Sequence, residues 1–233
     1  MNESRKRAWV SIDTQALQKN LARVHSLCPE STIFPVIKAN AYGHGLEQAA
    51  SALTEADLFG VTDVHEAVSL EQADTGKSIL VLQGMMQADD LHLVAEHNFQ
   101  LVIHSAEQLA QIDETLSRLT LKQPLTLWLK MDSGMGRLGL SPHGFSRTYK
   151  ALLGRPYTDK VVMMTHLANS SQPDASLNLK QLNVFREIET ELADDLHATS
   201  IPASSGILSD LSVDSTWARP GIMLYGSSPF DLS

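Results

Sequence analysis

A chain of 233 residues, 43% of them hydrophobic, has enough apolar side chain to bury a sizeable core, as one large α/β domain or two small ones. Its formal net charge of −9 argues against a protein built to neutralise phosphate backbones; the one basic cluster, Arg5-Lys6-Arg7, reads as a solvated tail, so nucleic acid is not an expected partner. A single cysteine, Cys28, excludes an intramolecular disulfide framework and a multi-cysteine zinc site, and no metal is expected; no apolar signal core follows the basic cluster, no run approaches the ~20 residues of a membrane span, and a reducing, cytoplasmic setting fits best.

The opening Ala8-Trp9-Val10-Ser11-Ile12 alternates and predicts an extra strand over residues 8–13, without a partner in the rest of the chain. Residues 14–27 read as a helix. Residues 32–37 then form a short buried strand that ends at Lys38, and Gly43 and Gly45 mark the loop after it. A lysine emerging there at the mouth of a sheet is expected to be partly desolvated, which lowers its pKa and leaves a neutral amine able to form a Schiff base. The plainer alternative is a strand-end lysine with its ammonium in water.

Further strands are predicted at 58–61, 79–82, 100–103, 125–129 and 161–164, as apolar runs without clean alternation, the pattern of strands buried on both faces. Amphipathic segments at 64–74, 88–97, 105–116, 142–153 and 177–192 lie between them, each long enough for a crossover helix. Strands around 199–202 and 217–219 bring the count to about eight at spacings of roughly 20–35 residues, close to what a (β/α)8 TIM-type barrel of about 250 residues requires. The expected fold is therefore one α/β domain over residues 1–233. No eighth helix follows the last strand, and the helix over 14–27 could fill that place in the ring.

Gly134-Met135-Gly136-Arg137-Leu138-Gly139 satisfies the G-x-G-x-x-G dinucleotide spacing directly after a strand. Two details oppose that reading. Ser141 and Pro142 look like an N-cap and first helical residue, which starts the helix after the last glycine and removes the dipole contact to a pyrophosphate. The next strand, moreover, ends in Thr165-His166 and not in a ribose-binding acid. The alternative is a sharp turn that aims Arg137 into the barrel mouth, where its fork of donors suits a phenolate or carboxylate. A third glycine-bearing segment, residues 217–226, lies at the end of the eighth strand. Backbone amides at Gly221 and Ile222, with the Ser204 hydroxyl after strand seven, suit a phosphate there.

Taken in order, VIKANAYGHG, MDSGMGRLG and RPGIMLYG resemble the alanine racemase family, over Trp9 to about Pro229. The resemblance implies a pyridoxal 5'-phosphate (PLP) barrel, the family's N-terminal domain without its C-terminal β-domain, to which the strand at 8–13 could belong. It implies that Lys38 forms the Schiff base with the cofactor and acts as the acid/base on the D-face of the substrate, and that Tyr42 contacts the cofactor phosphate. Arg137 matches the arginine that bonds the phenolic oxygen and orients the substrate carboxylate. Lys130 matches a lysine that many members carbamylate to hold that arginine. His166 matches the histidine bonded to the arginine under the pyridine nitrogen, Arg219 matches that arginine, and Ser204, Gly221 and Ile222 match the phosphate cup. An arginine keeps its proton, so the ring stays a weaker electron sink than a pyridinium opposite an aspartate, and prompt reprotonation is favoured.

The activity implied is racemisation of L- and D-alanine through an external aldimine and Cα proton abstraction, supplying D-alanine for peptidoglycan, in a homodimer. Two acid/base groups are needed for two faces of Cα. In the family the second is a tyrosine from the C-terminal domain of the partner subunit, and Tyr149, Tyr157 and Tyr225 do not match its motif. This chain alone is thus expected to bind PLP, to racemise poorly, and to show low stability or altered oligomerisation. A non-catalytic single-domain PLP-binding protein is the alternative. Related barrel decarboxylases place an acid at the pyridine nitrogen, which Arg219 opposes.

Overall fold

The computed structural model describes residues 9–209, 211 and 214–230. Each apolar run becomes a strand: β1 (Thr32–Ile33), β2 (Leu58–Val61), β3 (Ser78–Val81), β4 (Gln100–Ile103), β5 (Leu125–Lys130), β6 (Thr158–Met164), β7 (Ala198–Ala203) and β8 (Trp217–Arg219). The sheet runs β1-β8-β7-β6-β5-β4-β3-β2, with every adjacent pair parallel. Its two ends also meet. Val36 bridges Gly60, Ile37 N–H donates to Gly60 O at 2.8 Å, and Gly60 N–H donates to Pro35 O at 2.9 Å, which closes the sheet into a barrel. The strand predicted over 32–37 is regular only at its start, because Pro35 has no N–H with which to continue the ladder.

The helices are α1 (Thr14–Leu27), α2 (Leu46–Ala52), α3 (Val64–Glu71), α4 (Asp90–His97), α5 (Ala106–Leu116), α6 (Phe145–Leu153), α7 (Ser176–Glu191) and α8 (Ser204–Leu208). Side-chain caps start three of them. Asp13 accepts from Ala16 N–H at 3.0 Å, Asp63 from Glu66 N–H at 2.9 Å and Ser105 from Gln108 N–H at 3.2 Å, each satisfying a donor that the helix itself leaves free. α1 packs against α2, α8 and the 3-10 helix Ile222–Tyr225, and so takes the eighth place in the ring as expected.

Both faces of the strands are buried, which explains the missing alternation. Phe59, Val61, Leu101, Ile103, Leu127 and Leu129 face the helices, while Phe34, Leu58, Leu80, Val102, Trp128 and Val162 fill the barrel. Phe34 meets Trp128 edge-on with centroids 5.2 Å apart, and Trp128 donates its indole N–H to Gln100 Oε1 at 2.7 Å, so the large ring is buried without an orphaned donor. This plug has a consequence for the site. With a period of two along each strand, the inward positions Phe34-Val36, Trp128-Lys130, Val162-Met164 and Trp217-Arg219 continue to Lys38 and His166 just past the strand ends. Polar groups of inward parity therefore collect at the C-terminal mouth, where barrels carry their chemistry.

Residues 9–13 lie beside no described strand, and Trp9 and Val10 are 85% and 83% exposed. Ala8 and the cluster Arg5-Lys6-Arg7 fall outside the described residues. One expectation is corrected: the fifth crossover helix, α6, starts at Phe145 and not at Ser141-Pro142, because Gly144 (φ 76°) turns the chain left-handed immediately before it. Among the described residues no helix is long and apolar enough to cross a membrane.

Candidate active site

A cavity of about 470 Å³ opens at the C-terminal mouth, lined by Lys38, Tyr42, Lys130, Arg137, His166, Ser204, Arg219, Gly221 and Ile222 among others. Every residue singled out from sequence is thus on one wall or another of a single site. Lys38 differs from expectation in one respect, since it is exposed in the mouth and not partly desolvated. The reason is local. Ala39, Asn40, Ala41 and Tyr42 all have φ of 53° or 54°, so the chain leaves β1 in a left-handed turn that lifts the lysine to the rim.

Arg219 is buried, at 6% exposed. Its Nη1 donates to Ser200 Oγ at 2.7 Å, and its Nη2 to Thr165 O at 2.8 Å, Ile201 O at 3.0 Å and His166 Nδ1 at 3.4 Å. All four acceptors are neutral, and no described carboxylate pairs with it. Burial pulls its pKa down to about 10, which still leaves it charged at neutral pH. Since a guanidinium only donates, His166 Nδ1 must accept, and the ring proton belongs on Nε2. His166 is held neutral: burial first, then the charges of Arg219, Lys130, Arg137 and Lys38, bring its pKa to about 3. Lys130, at the end of β5, falls to about 8 by burial and by Arg219, Arg137 and Lys38, with Asp132 opposing.

The loop that carries Arg137 is tied by Asp132. Its Oδ1 accepts from the N–H groups of Gly134 (3.0 Å), Met135 (2.8 Å) and Gly136 (3.0 Å). Burial raises the Asp132 pKa, but these three bonds and the charge of Lys130 together outweigh it and the net shift is downward. The loop then folds back on β5, with Leu140 N–H donating to Lys130 O at 2.9 Å and Asp132 N–H to Leu140 O at 2.9 Å. A Cβ on Gly139 would stand 2.4 Å from Asp132 N, so only glycine permits this return. The G-x-G-x-x-G spacing is accordingly a tied loop, closed by a parallel bridge between Met131 and Leu140, that brings Arg137 to the cavity.

On the opposite side, Ser204 Oγ accepts from Gly221 N–H at 2.8 Å and Met223 N–H at 3.3 Å, which fills both lone pairs and leaves its own proton to donate. A Cβ on Gly221 would lie 2.8 Å from Tyr42 Oη and 3.8 Å from Ser204 Oγ; its absence lets the two hydroxyls stand together there, while the Gly221 N–H is engaged by Ser204 Oγ. Tyr42 is braced by Tyr225, with ring centroids 4.9 Å apart, and Tyr225 packs in turn, tilted, against His44 at 4.7 Å. The donor set fits a phosphate-bearing pyridine aldehyde. Hydroxyl and amide donors suit the phosphate, a carboxylate-free buried guanidinium suits a pyridine nitrogen, Arg137 suits a phenolic oxygen, and Lys38 supplies an amine. Among the described residues no group of three His, Cys, Asp or Glu side chains is placed to hold a metal ion.

Sequence reasoning missed the supports behind these groups. Ser200 has inward parity on β7, two residues after Ala198, and a polar residue at such a position was the available signal. Gln181 is fully buried on α7, on the face of Asn178 and Phe185, and its Nε2 donates to Ser133 Oγ at 3.2 Å and His166 O at 3.0 Å. An amide on the apolar face of a helix was legible as an anomaly. Asp132 and Glu66 act through backbone N–H groups, and nothing in their sequence context announced that.

Fold and site together define a (β/α)8 barrel whose mouth presents a lysine amine and a set of donors for an anionic ligand. The chain belongs to the alanine racemase N-terminal domain family, whose profile matches residues 12–229. It is 39% identical over 227 residues to the alanine racemase of Pectobacterium carotovorum subsp. carotovorum, covering 97% of this chain and 61% of the relative. It is 40% identical over 223 residues to the catabolic alanine racemase of Pseudomonas putida, covering 95% and 60%. Among solved structures, the alanine racemase of Acinetobacter baumannii superposes with a TM-score of 0.86 at 34% identity, over 94% of this chain and 60% of that one. The biosynthetic alanine racemase of Pseudomonas aeruginosa gives 0.85 at 35% identity, over 95% and 61%. The chain thus spans about 60% of the length of the curated relatives it matches.

Proposed function

We propose that this chain forms the PLP-binding barrel of an enzyme that interconverts L- and D-alanine, in the cytoplasm and as a homodimer, supplying D-alanine to peptidoglycan. The observation that carries the reading is Arg219, a buried guanidinium with four neutral acceptors and no described carboxylate partner, in one cavity with Lys38 and a phosphate cradle. Membership of the family supports alanine as substrate.

Bound PLP would supply an electron sink that makes the Cα–H of an attached amino acid acidic. Ser204, Tyr42, Gly221 and Ile222 would hold its phosphate, and Arg137 its phenolic oxygen. Arg137 also orients the substrate carboxylate. Arg219 keeps its proton at neutral pH and would donate to the ring nitrogen, which would limit the sink and favour return of the proton to Cα. Neutral His166 holds Arg219 from behind without adding a second charge. Lys38 takes or returns the proton at Cα on the D-face. The opposite face needs its own acid/base group, and we assign that group to a part of the enzyme beyond these 233 residues.

The test is direct. The protein is incubated with PLP, reduced with borohydride and mapped by mass spectrometry. A pyridoxyl phosphate adduct on Lys38, lost in Lys38→Ala, supports the cofactor assignment; no adduct, or an adduct elsewhere, removes it.

A further inference from the structure

We propose that Glu66 is a positioning residue for Lys38, acting as the clamp that holds the left-handed turn on which the lysine is mounted. The inference rests on the reading of Lys38 as the reactive amine and adds a residue to that site.

The turn needs a clamp. Four consecutive non-glycine residues, Ala39 to Tyr42, sit at φ of 53° or 54°, where an L-residue places Cβ against its own carbonyl. Such a run persists only when its surroundings over-determine it. Internal bonds supply part of the hold: Ala41 N–H donates to Ile37 O at 2.8 Å, Gly43 N–H to Ala39 O at 3.1 Å, and Asn40 Oδ1 accepts from Leu46 N–H at 2.8 Å. These bonds tie the turn to its own flanks. Glu66 ties it to the barrel. From the first turn of α3 its Oε1 accepts from Asn40 N–H at 2.8 Å, while its Oε2 accepts from Thr62 N–H, also at 2.8 Å, at the C-terminal end of β2. The carboxylate thus bridges the turn to the neighbouring strand, and Asp63, which caps α3 through Glu66 N–H at 2.9 Å, fixes the backbone from which it reaches. Bonds from N–H groups to a carboxylate are about twice as strong as neutral ones.

One residue separates Lys38 from Asn40 through backbone that the clamp holds, so release of Asn40 lets the turn relax toward ordinary torsions and moves the lysine off the cavity rim. Glu66 touches neither Lys38 Nζ nor the expected position of substrate, and its effect passes through the turn.

Glu66→Gln keeps shape and size but puts an amide –NH2 against one of the two N–H groups. Ala39→Gly removes the Cβ penalty at an exposed position of the turn that makes no side-chain hydrogen bond. Amide hydrogen exchange over residues 39–46 is measured in the wild type, both single variants and the double variant. The expected result is exchange about tenfold to a hundredfold faster in Glu66→Gln, with about fivefold of that recovered when Ala39→Gly is added. Unchanged exchange in Glu66→Gln, or no recovery in the double variant, overturns the proposal; a general loss of fold at α3 would give the second result. PLP capture by Lys38, read in the same four proteins by borohydride trapping, should fall and recover in step. If the wild type itself captures no PLP, the cofactor reading fails while the exchange result still decides the role of Glu66.

Discussion

At the scale of single residues, the site is governed by charges brought close together in a protein that is acidic overall. His166 is buried, and beyond that it faces the charges of Arg219, Lys130, Arg137 and Lys38, so it stays neutral in the folded protein down to about pH 3. An unfolded histidine takes its proton near pH ~6.5, and between these values the unfolded chain binds the extra proton. Stability from this residue is therefore complete above about pH 6.5 and is lost as pH falls toward 3. His166→Asn is expected to lose less stability than the wild type between pH 7 and pH 4.5, by on the order of 2 kcal/mol, in urea titrations at the two pH values. An equal loss in both proteins would show that other groups set the acid limit. Lys130 offers a second check. With its pKa near 8, an appreciable fraction is free amine at neutral pH, and an amine of this kind adds carbon dioxide to give a carbamate. The product would replace a cation by an anion beside Arg137 and Arg219. Native mass spectrometry in bicarbonate is expected to show one added carbon dioxide, absent in Lys130→Ala; its persistence in the variant would place it on another amine.

At the scale of elements, the two loops that deliver Lys38 and Arg137 differ in how far they could be read in advance. The strands were legible because a doubly buried parallel strand must be a short apolar run, and α1, Thr14–Leu27, was legible from a capping aspartate followed by an amphipathic stretch. Lys130, His166 and Arg219 were singled out by resemblance, and the inward parity that brings them to the mouth became plain only with the strands in register. The Arg137 loop was half legible: its glycines announced a sharp turn, but the knot around Asp132 depends on three N–H groups that no spacing reveals. The left-handed turn was not legible at all, because Ala-Asn-Ala-Tyr has no glycine and its torsions are imposed by tertiary bonds, Glu66 among them. Asn and helix-forming alanines would have predicted something ordinary there. The glycines of the Arg137 loop can be separated experimentally. Gly136→Ala meets nothing within 4 Å and bears only the cost of φ 72°, about 1 kcal/mol. Gly139→Ala drives Cβ to 2.4 Å from Asp132 N and 2.6 Å from Met131 C at φ 133°, so the return onto β5 must open, at a cost of about 3 kcal/mol. Denaturation midpoints of the two variants should fall in that order; equal midpoints would mean that the loop is not packed as described.

At the scale of the whole molecule, the question is what a barrel that offers Lys38 as its one acid/base group at Cα, as proposed, could do. Of the tyrosines, Tyr42 lines the cavity and packs tilted against Tyr225, with ring centroids 4.9 Å apart. Removal of the Cα proton by Lys38 and its return by the same amine gives back the enantiomer from which it came. In deuterium oxide this chain, loaded with PLP, is therefore expected to exchange the Cα hydrogen of D-alanine with retention at least tenfold faster than it forms L-alanine, and faster than it exchanges the Cα hydrogen of L-alanine. The methyl signal of alanine in proton NMR reports the exchange, and chiral chromatography of the same samples reports inversion. Lys38→Ala should abolish exchange. If inversion kept pace with exchange, a second group within these 233 residues would have to reach the far face of Cα, and the assignment of that role outside the barrel would be wrong.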